Sequence, residues 1–204
     1  MQILLTAGPT HEPIDPVRFL GNRSSGRMGA AIAQAAIEAG HSVTLILGPA
    51  TVAMPEVNHL IEVQTAADML SAVLREWPNH DILIMAAAVA DFRPRLIHTG
   101  KLPRHGDLTI ECEATEDIAA AAAMARQPRQ RIIGFSLESE GNIQRAQDKL
   151  KAKNLDLIVY NPPATIGSDT VEAVLIYPDG RVTPLPSSSK QIFAQTLIEH
   201  IAHL

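Results

Sequence analysis

The chain has 204 residues, of which 46% are hydrophobic and only 3% aromatic, and its net charge is -5 with histidine neutral. This length supports one substantial core, so we expect a single domain over residues 1–204. The negative charge argues against nucleic acid or an anionic membrane as a partner. One cysteine, Cys112, excludes an internal disulfide framework. With no apolar run of about 18 residues and no signal peptide, we expect a cytoplasmic protein.

Short apolar runs alternate with segments of helical periodicity. The runs predict buried parallel strands at 3–7, 42–47, 81–88, 131–135 and 155–160, and the intervening segments predict helices near 25–39, 65–76, 116–126 and 141–153. We expect Gly40 to cap the end of the first helix, and Thr65 with Asp68 to form a capping box for the second.

The C-terminal part has a different pattern. A hairpin is predicted from runs 171–177 and 181–185 around the turn Pro178-Asp179-Gly180, followed by a helix at about 188–202. The chain is therefore predicted to be α/β, with a Rossmann-like doubly wound, mostly parallel sheet and a C-terminal β-hairpin. Three long loops, 8–23, 89–108 and 161–171, leave the carboxyl edge of that sheet, where open α/β sheets bind ligands.

The segment GNRSSGRMG, residues 21–29, lies where many α/β proteins bind phosphate. It lacks the lysine and the metal-binding hydroxyl of a P-loop, and the strand turns lack a G-x-G-x-x-G motif. Ser24 and Ser25 either only cap the helix, or they start a helix that binds an anion, with Gly26 admitting a ligand to the backbone. Asn22 favours binding, because its neutral amide both donates and accepts hydrogen bonds.

Small side chains at Ala86–Ala88, followed by Asp91, leave room for a flat ligand, although a packing face with a turn aspartate would look the same. Phe135 ends a strand and is either a core residue or a base-stacking platform.

Basic side chains occur in two further places. Lys101 and Arg104 lie in a loop rich in glycine and proline, where solvated charge is the ordinary interpretation. Arg145, Lys149 and Lys153 share one helix face, which is either solvated or binds an anion. No helical H-x-x-x-H pair and no G-x-S-x-G motif is present, so neither a zinc site nor covalent catalysis is predicted.

Five stretches in this order, TAGPTHEPIDPVRFLGNRSSGRMG, MAAAVADFRP, GKLPR, IIGFSLES and KLKAKNLDLIVYN, resemble the phosphopantothenoylcysteine synthetase family of coenzyme A biosynthesis. The resemblance runs from Thr6 to about Leu175, and the AAAVADFRP string is similar to the bacterial, CTP-using type. It implies that the carboxylate of 4′-phosphopantothenate attacks the α-phosphate of CTP, with Mg²⁺ on the triphosphate. The acyl-cytidylate then reacts with the amine of cysteine.

The resemblance also implies site residues. Asn22 would hold the acyl-cytidylate and Lys101 would reach the triphosphate from a loop, which makes these two the candidate catalytic residues. Gly8, Ser24, Ser25 and Gly26 would shape the backbone near the phosphate. Nucleotide contacts are implied for Met85, Ala86, Ala87, Asp91, Lys101, Asp117, Ile118, Ala119, Ala120, Phe135, Lys149 and Lys153.

Family members are usually homodimers in which a loop of one subunit closes over the other site. Many bacterial members are fused to a flavin-dependent decarboxylase, so the chain resembles either a stand-alone ligase with a separate decarboxylase partner or the excised half of a bifunctional protein. The chain departs from the family at Gly8-Pro9, at Lys101-Leu102-Pro103-Arg104, at Thr115-Glu116-Asp117 and at Asn161-Pro162. Two other functions stay open: an NADPH-binding Rossmann-type oxidoreductase, and a nucleotide-binding module without catalysis.

Overall fold

A computed structural model describes residues 1–137, 143–161 and 170–204. Its strands are β1 Gln2–Ala7, β2 His11–Pro13, β3 Phe19–Gly21, β4 Ser42–Leu47, β5 His59–Glu62, β6 Ile82–Met85, β7 Phe92–Pro94, β8 Cys112–Ala114, β9 Arg131–Leu137, β10 Leu157–Asn161, β11 Thr170–Ile176 and β12 Val182–Ser189. Its α-helices are α1 Arg27–Glu38, α2 Ala66–Glu76, α3 Ile118–Met124, α4 Ile143–Ala152 and α5 Lys190–Ile201.

The main sheet has eight strands in the order β12-β11-β10-β9-β6-β1-β4-β5. The strands from β10 to β5 pair in parallel, whereas β11 and β12 add an antiparallel hairpin at the β10 edge. Numbered along the chain, the six parallel strands have the spatial order 3-2-1-4-5-6 of doubly wound dinucleotide-binding folds. The predicted Rossmann-like sheet and its C-terminal hairpin are confirmed.

Both faces of the sheet are covered, which explains why the parallel strands are continuously apolar. In β1, Ile3 and Leu5 face the cluster that contains side chains of α1 and α5, whereas Leu4 faces the cluster that contains side chains of α2, α3 and α4. Strand alternation therefore divides one apolar run between two cores.

Several predicted boundaries shift. The first helix begins at Arg27 instead of residue 25, because Gly26 is its N-cap, with a φ of 85°, and no side chain caps it. Its C-cap is Ala39, with the predicted Gly40 next in the left-handed region. The strand predicted at 81–88 ends at Met85, after which Ala88 makes only an isolated bridge to Pro9. The capping box of Thr65 and Asp68 is confirmed.

The long loops contain structure that hydrophobic periodicity did not predict. The loop 8–23 contains the β2–β3 pair, and 89–108 contains β7, which pairs with β8. These strands of three residues are too short for a periodic signal. Residues 162–169 of the third loop, and 141–142 of the predicted fourth helix, lie outside the described residues.

Gly29 lets α1 approach β1 closely. A Cβ at this position would lie 2.2 Å from the Cβ of Ala7. We expect Gly29→Ala to lower the free energy of unfolding by about 2 kcal/mol through overpacking, although alanine is the better helix former. Urea denaturation measures this change. Gly100→Ala is the control, since a Cβ there meets nothing within 4 Å, and equal effects of the two substitutions would contradict the packing explanation.

Candidate active site

A cavity of about 610 Å³ opens at the carboxyl ends of β6 and β9. It adjoins the point between β1 and β6 where the strand order reverses, the usual ligand position in an open α/β sheet. Its volume is within the range of small-molecule sites. Ten residues implied by the resemblance line it: Asn22, Met85, Ala87, Asp91, Asp117, Ile118, Ala119, Phe135, Lys149 and Lys153.

One wall of the cavity is the segment that follows β6. The sheet ladder ends at Met85, beyond which both backbone groups and side chains of other segments form hydrogen bonds to the chain. Thr6 Oγ1 accepts from the N–H of Ala87 at 3.3 Å, and Asn22 Nδ2 donates to the carbonyl of Val89 at 2.7 Å. Asn22 thus belongs to the wall, and its amide retains a second N–H and a carbonyl oxygen for a ligand.

The opposite wall comes from α3 and α4. Asp117 is the N-cap of α3 and accepts from the N–H of Ala120 at 3.1 Å. Lys153 Nζ lies 2.9 Å from Asp117 Oδ2, and Lys149 Nζ donates to Ser136 Oγ at 3.4 Å. Of the three basic residues predicted to share a helix face that is either solvated or anion-binding, Lys149 and Lys153 therefore line the cavity, whereas Arg145 does not.

The pKa of Asp117 is lowered from its ordinary value of 3.8. Burial by itself would raise this pKa, but the Lys153 ammonium and the backbone N–H groups at the start of α3 outweigh it. A lowered pKa in the folded state stabilises the fold above pH 3.8, and this contribution is lost as the pH falls through the lowered value.

We expect Asp117→Asn to reduce the free energy of unfolding at pH 7, because asparagine can still cap α3 but cannot pair with Lys153. The difference from wild type should begin to shrink as the pH falls below 3.8. Urea denaturation at pH 7 and pH 3 measures it. A difference of the same size at both values would exclude an electrostatic origin.

Lys101 lies away from this cavity, in a second one of about 730 Å³ that Arg104 also lines. An ion pair between the buried Asp15 and the partly exposed Arg18 fixes the base of its loop. The N–H of Leu102 donates to Asp15 Oδ2 at 3.1 Å, and Arg18 Nη2 donates to the carbonyl of Leu102 at 2.8 Å. Burial raises the pKa of Asp15, but Arg18 and the surrounding backbone N–H groups hold it well below its ordinary range.

Besides Lys101, six implied residues do not line the cavity of Asn22: Gly8, Ser24, Ser25, Gly26, Ala86 and Ala120. Gly8, with a φ of 77°, and Gly26 meet where β1 ends and α1 begins, and Ser25 accepts from the N–H of Thr51 at 3.2 Å through its carbonyl. These two glycines, Ser24 and Ser25 therefore lie at the start of α1. Ala86 packs against the α1–α5 core because strand alternation turns it away from Ala87.

Ala120 contributes to the site only through its backbone N–H, as the donor to Asp117. Phe135 lines the cavity, but its side chain packs against the core on the α1–α5 face, as the core interpretation predicted.

Some cavity residues were missed by sequence reasoning. They are Arg23, Val89, Ala90, Thr115, Glu116, Gly134, Leu137, Leu155 and Ile158. Most are apolar or small and carry no chemical signal of their own. Asp15 and Arg18 did offer a signal, since they lie in the motif EPIDPVR at a spacing suited to an ion pair.

Comparisons with known proteins agree with this architecture. Residues 1–204 match the family described as DNA/pantothenate metabolism flavoprotein C-terminal domain. A cysteine/cysteine sulfinic acid decarboxylase from an unknown prokaryotic organism is 41% identical over 100% of this chain and 58% of its own length. The coenzyme A biosynthesis bifunctional protein CoaBC of Bacillus subtilis (strain 168) is 40% identical over 99% of this chain and 51% of its own.

A solved structure, the C-terminal domain of the coenzyme A biosynthesis bifunctional protein CoaBC, has a TM-score of 0.85 and 38% identity, covering 98% of this chain and 93% of that one. The chain therefore spans little more than half the length of the two curated relatives but nearly the whole of this isolated domain. By sequence and by fold, the chain belongs to the DNA/pantothenate metabolism flavoprotein C-terminal domain family, as its resemblance to phosphopantothenoylcysteine synthetases predicted.

Proposed function

We propose that the chain is a CTP-dependent ligase that joins 4′-phosphopantothenate to L-cysteine in coenzyme A biosynthesis. The observation that carries this proposal is the cavity itself, with the amide of Asn22 on one wall and the ammonium groups of Lys149 and Lys153 on the other. The Asn22 end is suited to the mixed anhydride, which the amide would hold without adding charge, and the lysine end is suited to phosphates. The coenzyme A names of the relatives support the same reaction.

In the first step, a carboxylate oxygen of 4′-phosphopantothenate attacks the α-phosphorus of CTP and pyrophosphate leaves. In the second, the amine of cysteine attacks the acyl carbon, loses a proton and displaces CMP. Neither step needs a protein nucleophile, and no serine, cysteine or histidine occurs among the described residues that line the cavity. Catalysis then depends on positioning and charge neutralisation.

Lys149 and Lys153 would neutralise the phosphates of the nucleotide. Lys153 already pairs with Asp117 at 2.9 Å, so it would share its charge between that carboxylate and a phosphate. Asn22 would hold the acyl-cytidylate without adding charge.

The donor set suits magnesium held mainly by the triphosphate. Within 1–137, 143–161 and 170–204, no group of three or more His, Cys, Asp or Glu side chains could hold a metal ion alone. Asp91 and Glu116 are the other carboxylates of the cavity that would contact such an ion, since Asp117 is paired with Lys153. Magnesium usually retains several waters beside one or two carboxylates and substrate phosphates.

We also propose that the enzyme is a homodimer. The small β2–β3 and β7–β8 pairs and their loops expose large apolar side chains, among them Phe19 (51%), Phe92 (60%) and Leu96 (65%). Lys101 lies in the same region, away from the cavity of its own chain, so it would act on the site of the partner subunit. Sedimentation of wild type and Phe92→Ser tests this: the variant should be more monomeric.

Among the described helices, none is both long and apolar enough to cross a bilayer. We place the reaction in the cytoplasm, where the free Cys112 would remain reduced. A flavin-dependent decarboxylase, either separate or fused, would act in the same pathway.

The deciding experiment is pyrophosphate release by purified protein with CTP, magnesium, 4′-phosphopantothenate and cysteine. Release that requires all four supports the proposal, and amide formation without nucleotide would contradict it. Omitting CTP and measuring carbon dioxide from cysteine checks for decarboxylase activity. Thermal stabilisation by NADPH but not by CTP would instead favour an oxidoreductase. The strand order is the feature that supports this alternative.

A further inference from the structure

Thr115 connects the two walls of the cavity. It follows β8, and its Oγ1 donates to the carbonyl of Ala90 at 2.6 Å. Its backbone N–H donates to the carbonyl of Asp91 at 3.0 Å. Both acceptors belong to the segment after β6, and Thr115 itself lines the cavity beside them.

The end of this segment, at Ala90, is held by two threonine side chains. Ala90 is only 5% exposed, so its backbone groups need protein partners. A threonine side chain supplies each of them: Thr10 Oγ1 accepts from its N–H at 2.9 Å, and Thr115 Oγ1 donates to its carbonyl. Removing the Thr115 hydroxyl would leave this buried carbonyl without its hydrogen bond, which costs more than an exposed bond would.

Thr115 is also close in sequence to the opposite wall. Two residues later, Asp117 caps α3 and pairs with Lys153. The backbone from Thr115 to Asp117 therefore links Asp91, to which Thr115 is hydrogen-bonded, with the Asp117–Lys153 pair. The relative position of these groups determines whether one nucleotide can contact both walls.

We propose that Thr115 is a positioning residue that fixes the separation of the Asp91 and Lys153 walls and thereby the affinity for the nucleotide. The proposal rests on the proposed function, in which these walls bind CTP. Thr115 acts through the backbone of Ala90 and Asp91 and need not touch the reacting atoms.

The test compares Thr115→Val, which keeps the side-chain shape but removes the donor, with Thr115→Ser, which keeps the donor. We expect valine to raise KM for CTP about tenfold, equivalent to about 1.4 kcal/mol and the loss of one buried hydrogen bond, with kcat within about twofold. Serine should restore KM to near the wild-type value. Thr115→Ala should behave like valine and replaces it if valine does not fold.

Thr196→Val is the matched control, since Thr196 also donates its hydroxyl to a backbone carbonyl, that of Ile192 at 3.0 Å, but in α5 on the other face of the sheet. KM for CTP should not change in it. Urea denaturation of every variant separates a loss of stability from a change in binding.

Calorimetric titration with CTP, without the other substrates, distinguishes a failure of the proposed function from a failure of the role assigned to Thr115. A wild type that does not bind CTP overturns the proposed function and this inference together. A wild type that binds CTP, with equal affinity in the valine variant, overturns only the role of Thr115. A serine variant as impaired as valine, or a fall in kcat without a rise in KM, overturns that role as well.

Discussion

Asn22→Asp is expected to lower the turnover of the ligation by about 100-fold, the usual loss when a donor at a developing charge is removed. Its Nδ2 now donates to the carbonyl of Val89 at 2.7 Å. A carboxylate would place an acceptor against that carbonyl and a negative charge beside an anionic intermediate. The affinity for CTP should fall much less, because the phosphate-binding lysines lie on the opposite wall.

Single-turnover kinetics with isolated acyl-cytidylate, together with a CTP titration, measures the two effects separately. Asn22→Ser is the control for charge, because it removes the amide but adds no negative charge. It should have an intermediate effect. Wild-type turnover in the aspartate variant would reject the assigned role of Asn22.

Asp15→Asn is expected to release the base of the Lys101 loop and to lower turnover by about tenfold or more, if correct placement of Lys101 is needed for the first step. The Asp15 side chain is fully buried, and its Oδ2 accepts from Arg18 Nε at 2.9 Å and from the N–H of Leu102 at 3.1 Å. In asparagine, one side-chain oxygen becomes an NH₂ donor. In either orientation of the asparagine amide, this NH₂ group would face N–H donors instead of hydrogen-bond acceptors.

Trypsin cleavage within residues 101–107 should be faster in this variant, and pyrophosphate release should be slower. Asp179→Asn is the matched control: Asp179 also accepts from a backbone N–H two residues later, at 2.9 Å, but in the exposed β11–β12 turn. Faster cleavage without any loss of turnover would show that the loop is fixed by Asp15 but that Lys101 is dispensable.

The sequence was most informative where one local property decides the structure. The strands at β1, β4, β9 and β10 were predicted because parallel strands buried on both faces are continuously apolar. The capping box of Thr65 and Asp68 was predicted because a cap involves only four consecutive residues. The first helix boundary was wrong because a left-handed glycine, Gly26, took the position expected for a serine.

The candidate site could be predicted only in part, because it is built from contacts between distant segments. Asn22 donates to a residue 67 positions away, and Asp15 accepts from one 87 positions away. Ser24 is only two residues from Asn22 but lies at the start of α1, outside the cavity, and Ala86 turns away where Ala87 faces inward.

By itself, the sequence determined the helices, most strands of the main sheet, the fold class and the family, because these depend on periodicity and on motifs read along the chain. It did not predict β5 or the short strands β2, β3, β7 and β8. Only the tertiary structure decided which motif residues share a cavity, that Lys153 is paired with Asp117, and that Lys101 lies elsewhere. The physical reason is that the face of a sheet and the path of a loop are set by packing between segments far apart in sequence.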